Sequence, residues 1–148
     1  MLQAFELHDG SIVRVGGNVR TVRCLDSNTV PTREERRVVV FQENDGMQFL
    51  KDCEGEPLSE DWLLKFTFIE RDKDFLNGTI YSYTYQDGSF TICCKENAAG
   101  RNEFWWATRE FEPAFGENDW TWQVKLDFVH ELQALFIAIE KKPLTPKT

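Results

Sequence analysis

Fifteen residues near one end of the chain, Phe128–Lys142 (FVHELQALFIAIEKK), limit the fold more than any other stretch. Apolar side chains fall at Phe128, Val129, Leu132, Leu135, Phe136 and Ile139. That i, i+3, i+4, i+7 spacing gives a helix one broad buried face. Asp127 is positioned to cap it, Lys141 and Lys142 suit its carbonyl end, and Pro143 stops it, leaving 143–148 as a flexible tail. No other segment carries a helical stripe of this length, so the remainder must supply the surface that this helix covers.

What precedes it reads mainly as strands. TIYSYTYQ and SFTICCKE flank Asp87-Gly88, and a two-residue loop there pairs Tyr85 with Phe90, Tyr83 with Ile92 and Tyr81 with Cys94. Those six residues share one face, while Ser82 and Thr84 oppose Cys93 and Thr91 on the other. Phe104–Arg109 continues the meander, Phe111–Asp119 reads as a long turn, and WTWQVKL puts Trp120, Trp122, Val124 and Leu126 on one face before running into the helix.

The first part of the chain is similar in kind. Asp9-Gly10 predicts a type I′ turn between strands at Phe5–His8 and Ser11–Val15. Gly16-Gly17-Asn18 turns the chain into Val19–Leu25, and Ser27–Arg36 is a loop broken by Pro31. Val38–Phe41 is a continuous β-branched run suited to burial on both faces, and Asn44-Asp45-Gly46 leads to a short strand at Met47–Lys51. Ser59 caps a short middle helix whose first turn carries Glu60 and Asp61 and whose inner side is Trp62, Leu63 and Phe66. The fold class expected is therefore α+β. A meander-rich antiparallel sheet packs on the C-terminal helix, and residues 1–148 form a single domain. The Tyr/Trp strands form either a core or half-buried sheet face or, alternatively, a binding face.

Charge narrows the partners. The net charge is −8, and residues 43–76 alone hold ten acidic against four basic residues. That balance argues against binding nucleic acid phosphates. The acidic centre reads most simply as a solvated surface that aids solubility, with an unknown protein partner, a basic host protein among the candidates, as the alternative. The longest apolar run is far short of a membrane span, and the opening MLQAFELHDG lacks a signal peptide's pattern, so a cytoplasmic protein is expected. Cys24, Cys53, Cys93 and Cys94 have no metal-ligand spacing and read as buried free thiols.

No nucleophile–base pair, phosphate loop or HExxH occurs, so no catalytic, metal-binding or cofactor-binding residue is assigned. The candidate partner-binding residues are His130 and Gln133 on the C-terminal helix, with Glu54, Glu56, Glu60 and Asp61 in the acidic centre.

Two segments carry a family resemblance. Pro57, Leu58, Ser59, Leu63, Lys65, Phe66 and Phe68 follow a PLTxxxLxKFGF pattern, and Val129, His130, Leu132, Gln133, Leu135 and Ala138 follow VHxLQxLxxA. Together with the early DGSIVRV, these resemble a group of small proteins of phages and mobile elements in Bacteroides-type gut bacteria. Ser59 stands for the group's threonine and keeps the hydroxyl, Thr67 stands for its glycine, and Pro31–Arg37 looks like an insertion. The resemblance implies a genetic setting rather than an activity. It also implies that His130 and Gln133, which recur in the group, either hydrogen-bond locally or face a partner. Three functional classes follow: a non-enzymatic interaction protein of unknown partner, an inhibitor of a host defence nuclease or sensor acting through residues 43–76, and a ligand binder or enzyme with a pocket between sheet and C-terminal helix.

Overall fold

The computed structural model describes residues 7–25, 38–42, 47–49, 52–74, 80–85, 90–112 and 117–147. In chain order the strands before the middle helix are β1 Ile12–Val15, β2 Asn18–Leu25, β3 Val38–Phe41, β4 Met47–Phe49 and β5 Glu54–Gly55. Helix α1, Glu60–Lys65, precedes β6 Ile69–Asp74, β7 Ile80–Thr84, β8 Thr91–Glu96, β9 Asn102–Glu112 and β10 Glu117–Leu126, and α2 is Val129–Glu140. The strands make two antiparallel sheets, and the fold is α+β. The chain divides into two compact units, Met1–Pro57 with Phe128–Thr145, and Leu58–Asp127 with Pro146–Thr148.

The first unit holds the sheet ordered β4-β3-β2-β1-β5. Gly16 and Gly17 form its β1–β2 turn with φ of 54° and 84°, and Val15 faces Asn18 across it. Positive φ at both central positions is the type I′ geometry that glycine permits without strain. Asp9-Gly10 does not make the predicted I′ hairpin. Positive φ occurs only at Gly10 (95°), a type II pattern, and Ser11 N–H closes the turn on His8 O at 3.0 Å. The cause is competition for the backbone: Gly10 N–H donates to Val22 O at 2.7 Å, and His8 N–H to Ser11 Oγ at 2.8 Å. Leu7 and His8 are therefore not strand, and Phe5 and Glu6 lie outside the described residues.

β2 is long enough to pair β1 with its first half and β3 with its second, with a register shift between Val22 and Cys24. β3 also pairs β4, which fits the unbroken apolar run of an inner strand. The loop Ser27–Arg36 and the turn Asn44–Gly46 lie outside the described residues. Leu7, Val13, Val22, Phe41 and Cys53 form a buried cluster.

Helix α2 belongs to this unit and packs on β1, one strand of the unit's antiparallel sheet. Its inner face is Val129, Leu132 and Phe136 together with His130 and Gln133, while Phe128 and Ile139 are both 37% exposed. The N-cap is Phe128, not Asp127. A phenyl ring cannot accept a hydrogen bond, so only the reciprocal half of a capping box forms, Phe128 N–H donating to Glu131 Oε1 at 2.9 Å. At the other end Lys141 turns left-handed (φ 60°) and its Nζ donates to Ala138 O at 2.7 Å. The expected flexible tail is instead held, because Leu144 is buried and its carbonyl accepts from Gln133 Nε2 at 3.2 Å.

The second unit holds the meander β10-β9-β8-β7-β6 and α1. The β7–β8 register is the predicted one: Tyr81 faces Cys94, Ser82 faces Cys93, Tyr83 faces Ile92, and Tyr85 N–H donates to Phe90 O at 2.9 Å. Turn Phe111–Asp119 is shorter than predicted, since pairing continues out to Glu112 and Glu117. β10 also departs from simple alternation. A register shift between Trp122 and Val124 leaves Gln123 as the extra residue, which a period-two pattern cannot reveal.

Ser59 caps α1 as predicted, its Oγ accepting from Trp62 N–H at 3.4 Å. The helix ends in a Schellman motif: Phe68 N–H donates to Leu63 O and Thr67 N–H to Leu64 O, both at 2.9 Å. Thr67 has φ 68° there, the left-handed conformation that glycine adopts without cost. Leu63 and Phe66 are buried, and Trp62 lies tilted on Phe66 with Lys65 Nζ 4.5 Å above its ring. Phe68, Phe90, Ile92, Cys93, Cys94, Phe104, Ala107 and Leu126 are also buried in this unit. Edge-to-face contacts join Phe68 to Tyr85 and Phe90, and Phe90 stacks on Trp106. Tyr83 is a core residue, whereas Tyr85, Trp105 and Trp106 are half-buried.

Candidate interaction site

Four of the six sequence-predicted residues lie in the first unit, and three of these are used internally. Gln133 is wholly buried, and its amide joins three segments of chain. Oε1 accepts from Ile12 N–H at 2.8 Å, while Nε2 donates to Gly10 O at 2.8 Å and to Leu144 O at 3.2 Å. These bonds tie α2 to the turn before β1 and to the segment after Pro143. Gln133 thus hydrogen-bonds within the chain and offers no surface to a partner.

His130 is buried too, at 1% exposure, with its ring stacked on Phe128 at 5.7 Å and 15°. Gly55 makes room for that stack. A Cβ on Gly55 would lie 2.5 Å from Phe128 Cδ1 and 3.1 Å from His130 Cε1. Pro57 bridges to Phe128, and Val129 N–H donates to Glu56 O at 2.8 Å, so the start of α2 is fixed along this strand.

Glu56 is buried and accepts from Arg14 Nε at 2.7 Å. Arg14 in turn donates to Gly17 O at 2.9 Å, which couples the ion pair to the β1–β2 turn. The hydrogen bond and charge of Glu56 hold the Arg14 guanidinium above its ordinary range, opposed by a smaller desolvation effect. Glu54, one register step away opposite Arg14, is exposed. Sequence reading grouped Glu54 and Glu56 as acidic surface. Period two puts them on the same side of the extended chain, but only Glu56 is buried and hydrogen-bonded to Arg14. Glu54 adds a smaller charge effect on Arg14.

Glu60 and Asp61 belong to the second unit and stand on the wall of an open hollow of about 460 Å³. Ser59, the apolar pair Leu58 and Phe104, and Arg101 and Asn102 also line it. Arg101 is placed by the β8–β9 turn. There Asn97 Oδ1 accepts from Ala99 N–H at 2.9 Å and Arg101 N–H at 3.0 Å, Gly100 takes φ 76°, and Asn97 N–H donates to Arg101 O at 2.7 Å. The signal in the sequence was the Glu96–Asn102 loop, which predicts a turn but not the helix that it meets. Sequence reasoning accordingly missed Leu58, Arg101, Asn102 and Phe104 as neighbours of Glu60 and Asp61.

Behind this wall the chemistry is quiet. Burial above all, then the Glu60 and Glu70 carboxylates, with a hydrogen bond to Glu60 adding to them, pushes the Tyr83 hydroxyl well above its ordinary pKa. Burial first, then Glu60 and Cys93, push the Cys94 thiol up to about 12. Burial and Asp52 push Cys53, in the first unit, up to about 11. Such thiols stay protonated at neutral pH and are poor nucleophiles. Among the described residues no group of three His, Cys, Asp or Glu could hold a metal ion. Among them, too, no helix is long and apolar enough to cross a membrane.

Comparison with protein-family models, curated proteins and solved structures returns no match.

Proposed function

We propose that this chain is a non-enzymatic protein-interaction module, encoded by a phage or mobile element and acting in the bacterial cytoplasm. It engages a basic feature of a partner at the Glu60/Asp61 wall of the second unit. The observation that carries this reading is the contrast between buried and available polar groups. Gln133, His130 and Glu56 are interior, whereas Glu60 and Asp61 line an open hollow floored by Leu58 and Phe104. An apolar floor with charged walls suits a protein side chain better than a solvated acidic surface alone would.

The test is affinity capture from lysate of the bacterial host, with the wild-type chain and a Glu60→Gln/Asp61→Asn double variant as baits. Support is a partner enriched by the wild type, lost at high salt and absent with the variant. Identical protein sets from both baits would remove the hollow from the proposal.

A narrower reading makes the partner a defence nuclease or sensor whose nucleic-acid groove is blocked. It is favoured by the concentration of ten acids against four basic residues in 43–76. Direct competition between the purified chain and DNA or RNA for such a partner decides that version. The third reading, a pocket under the C-terminal helix, loses support because the α2 face toward β1 is filled by Val129, Leu132 and Phe136 and His130 is not at a rim.

A further inference from the structure

We draw no further inference here: the strongest candidate, the hollow between the first turn of α1 and the β8–β9 turn, belongs to the site already described, and its Glu60/Asp61 pair on a six-residue helix has no second feature among the described residues that shows which ligand covers it.

Discussion

Gln133 and Glu60 are both polar side chains on helices of this chain, and they end in opposite surroundings. Gln133 sits on the inner face of α2 and uses both its amide donors, on Gly10 and Leu144, and its oxygen, on Ile12. Glu60 opens α1 and stands half-buried on the wall of a hollow. The difference teaches that polarity alone does not mark a functional face. A buried amide with its donors and acceptors matched behaves as architecture, since leaving any one of them unpaired costs more than the bond itself contributes. A group that keeps its exposure, as Asp61 does and Glu60 does in part, is the kind available to a partner.

The largest expected effect tests the helices that carry the two residues. Leu132, on α2, is fully buried, whereas Leu64, on α1, is 57% exposed. Leu132→Asp places an unpaired charge in the first unit's core and is expected to cost more than about 5 kcal/mol, enough to unfold it. Leu64→Asp is expected to cost under about 1 kcal/mol, mainly through the unfavourable charge at a helix C-terminus. Thermal unfolding followed by circular dichroism checks the pair. A cooperative, native-like melt for Leu132→Asp would mean that α2 is not the helix holding this unit together.

The second test acts on the compared residues themselves. Gln133→Leu keeps the approximate volume but leaves Ile12 N–H, Gly10 O and Leu144 O without their amide partner, at an expected cost of about 3–5 kcal/mol. Glu60→Gln is expected to change stability by no more than about 0.5 kcal/mol while weakening partner capture. Urea midpoints measured on both variants break the comparison if the two losses are alike.

Gly55 supplies a smaller effect within the first unit. Gly55→Ala drives a methyl group into the Phe128 ring, which must leave its stack on His130, and about 1–3 kcal/mol is expected. Phe128→Ala removes the obstacle, so the two substitutions together should cost less than the sum of each alone. A strictly additive double variant would show that the ring does not depend on the missing Cβ.

These contrasts also show which parts of the fold the sequence made legible. Local chemistry was readable: the Tyr83–Ile92 register follows from turn position and period two, and Ser59 announces α1. Features that depend on a distant partner were not. Glu54 and Glu56 look alike until Arg14 is placed, and nothing in the alternation of WTWQVKL signals the extra residue at Gln123. His130 and Gln133 looked like a polar edge because the apolar residues around them define a stripe without fixing its centre. Of the six site residues, the acidic pair Glu60 and Asp61 was legible as a helix start, but Arg101 reaches the same hollow from more than thirty positions away.

The smallest expected effect compares how the two helices stop. Both end on a non-glycine residue in the left-handed region, Thr67 after α1 and Lys141 after α2. A β-branched side chain crowds the following carbonyl there more than an unbranched one does. Thr67→Gly should therefore relieve more strain than Lys141→Gly. The gain is tempered because glycine also adds freedom to the unfolded chain and Thr67 loses its Oγ1 hydrogen bond to Phe66 O. A net gain of about 0.5–1 kcal/mol is expected for Thr67→Gly. For Lys141→Gly the expected change is close to zero, since the Lys141 Nζ bond to Ala138 O is lost as well. Chemical denaturation of the two variants side by side measures the difference, and an equal response would locate the strain in the helix ends generally rather than in the branched residue at position 67.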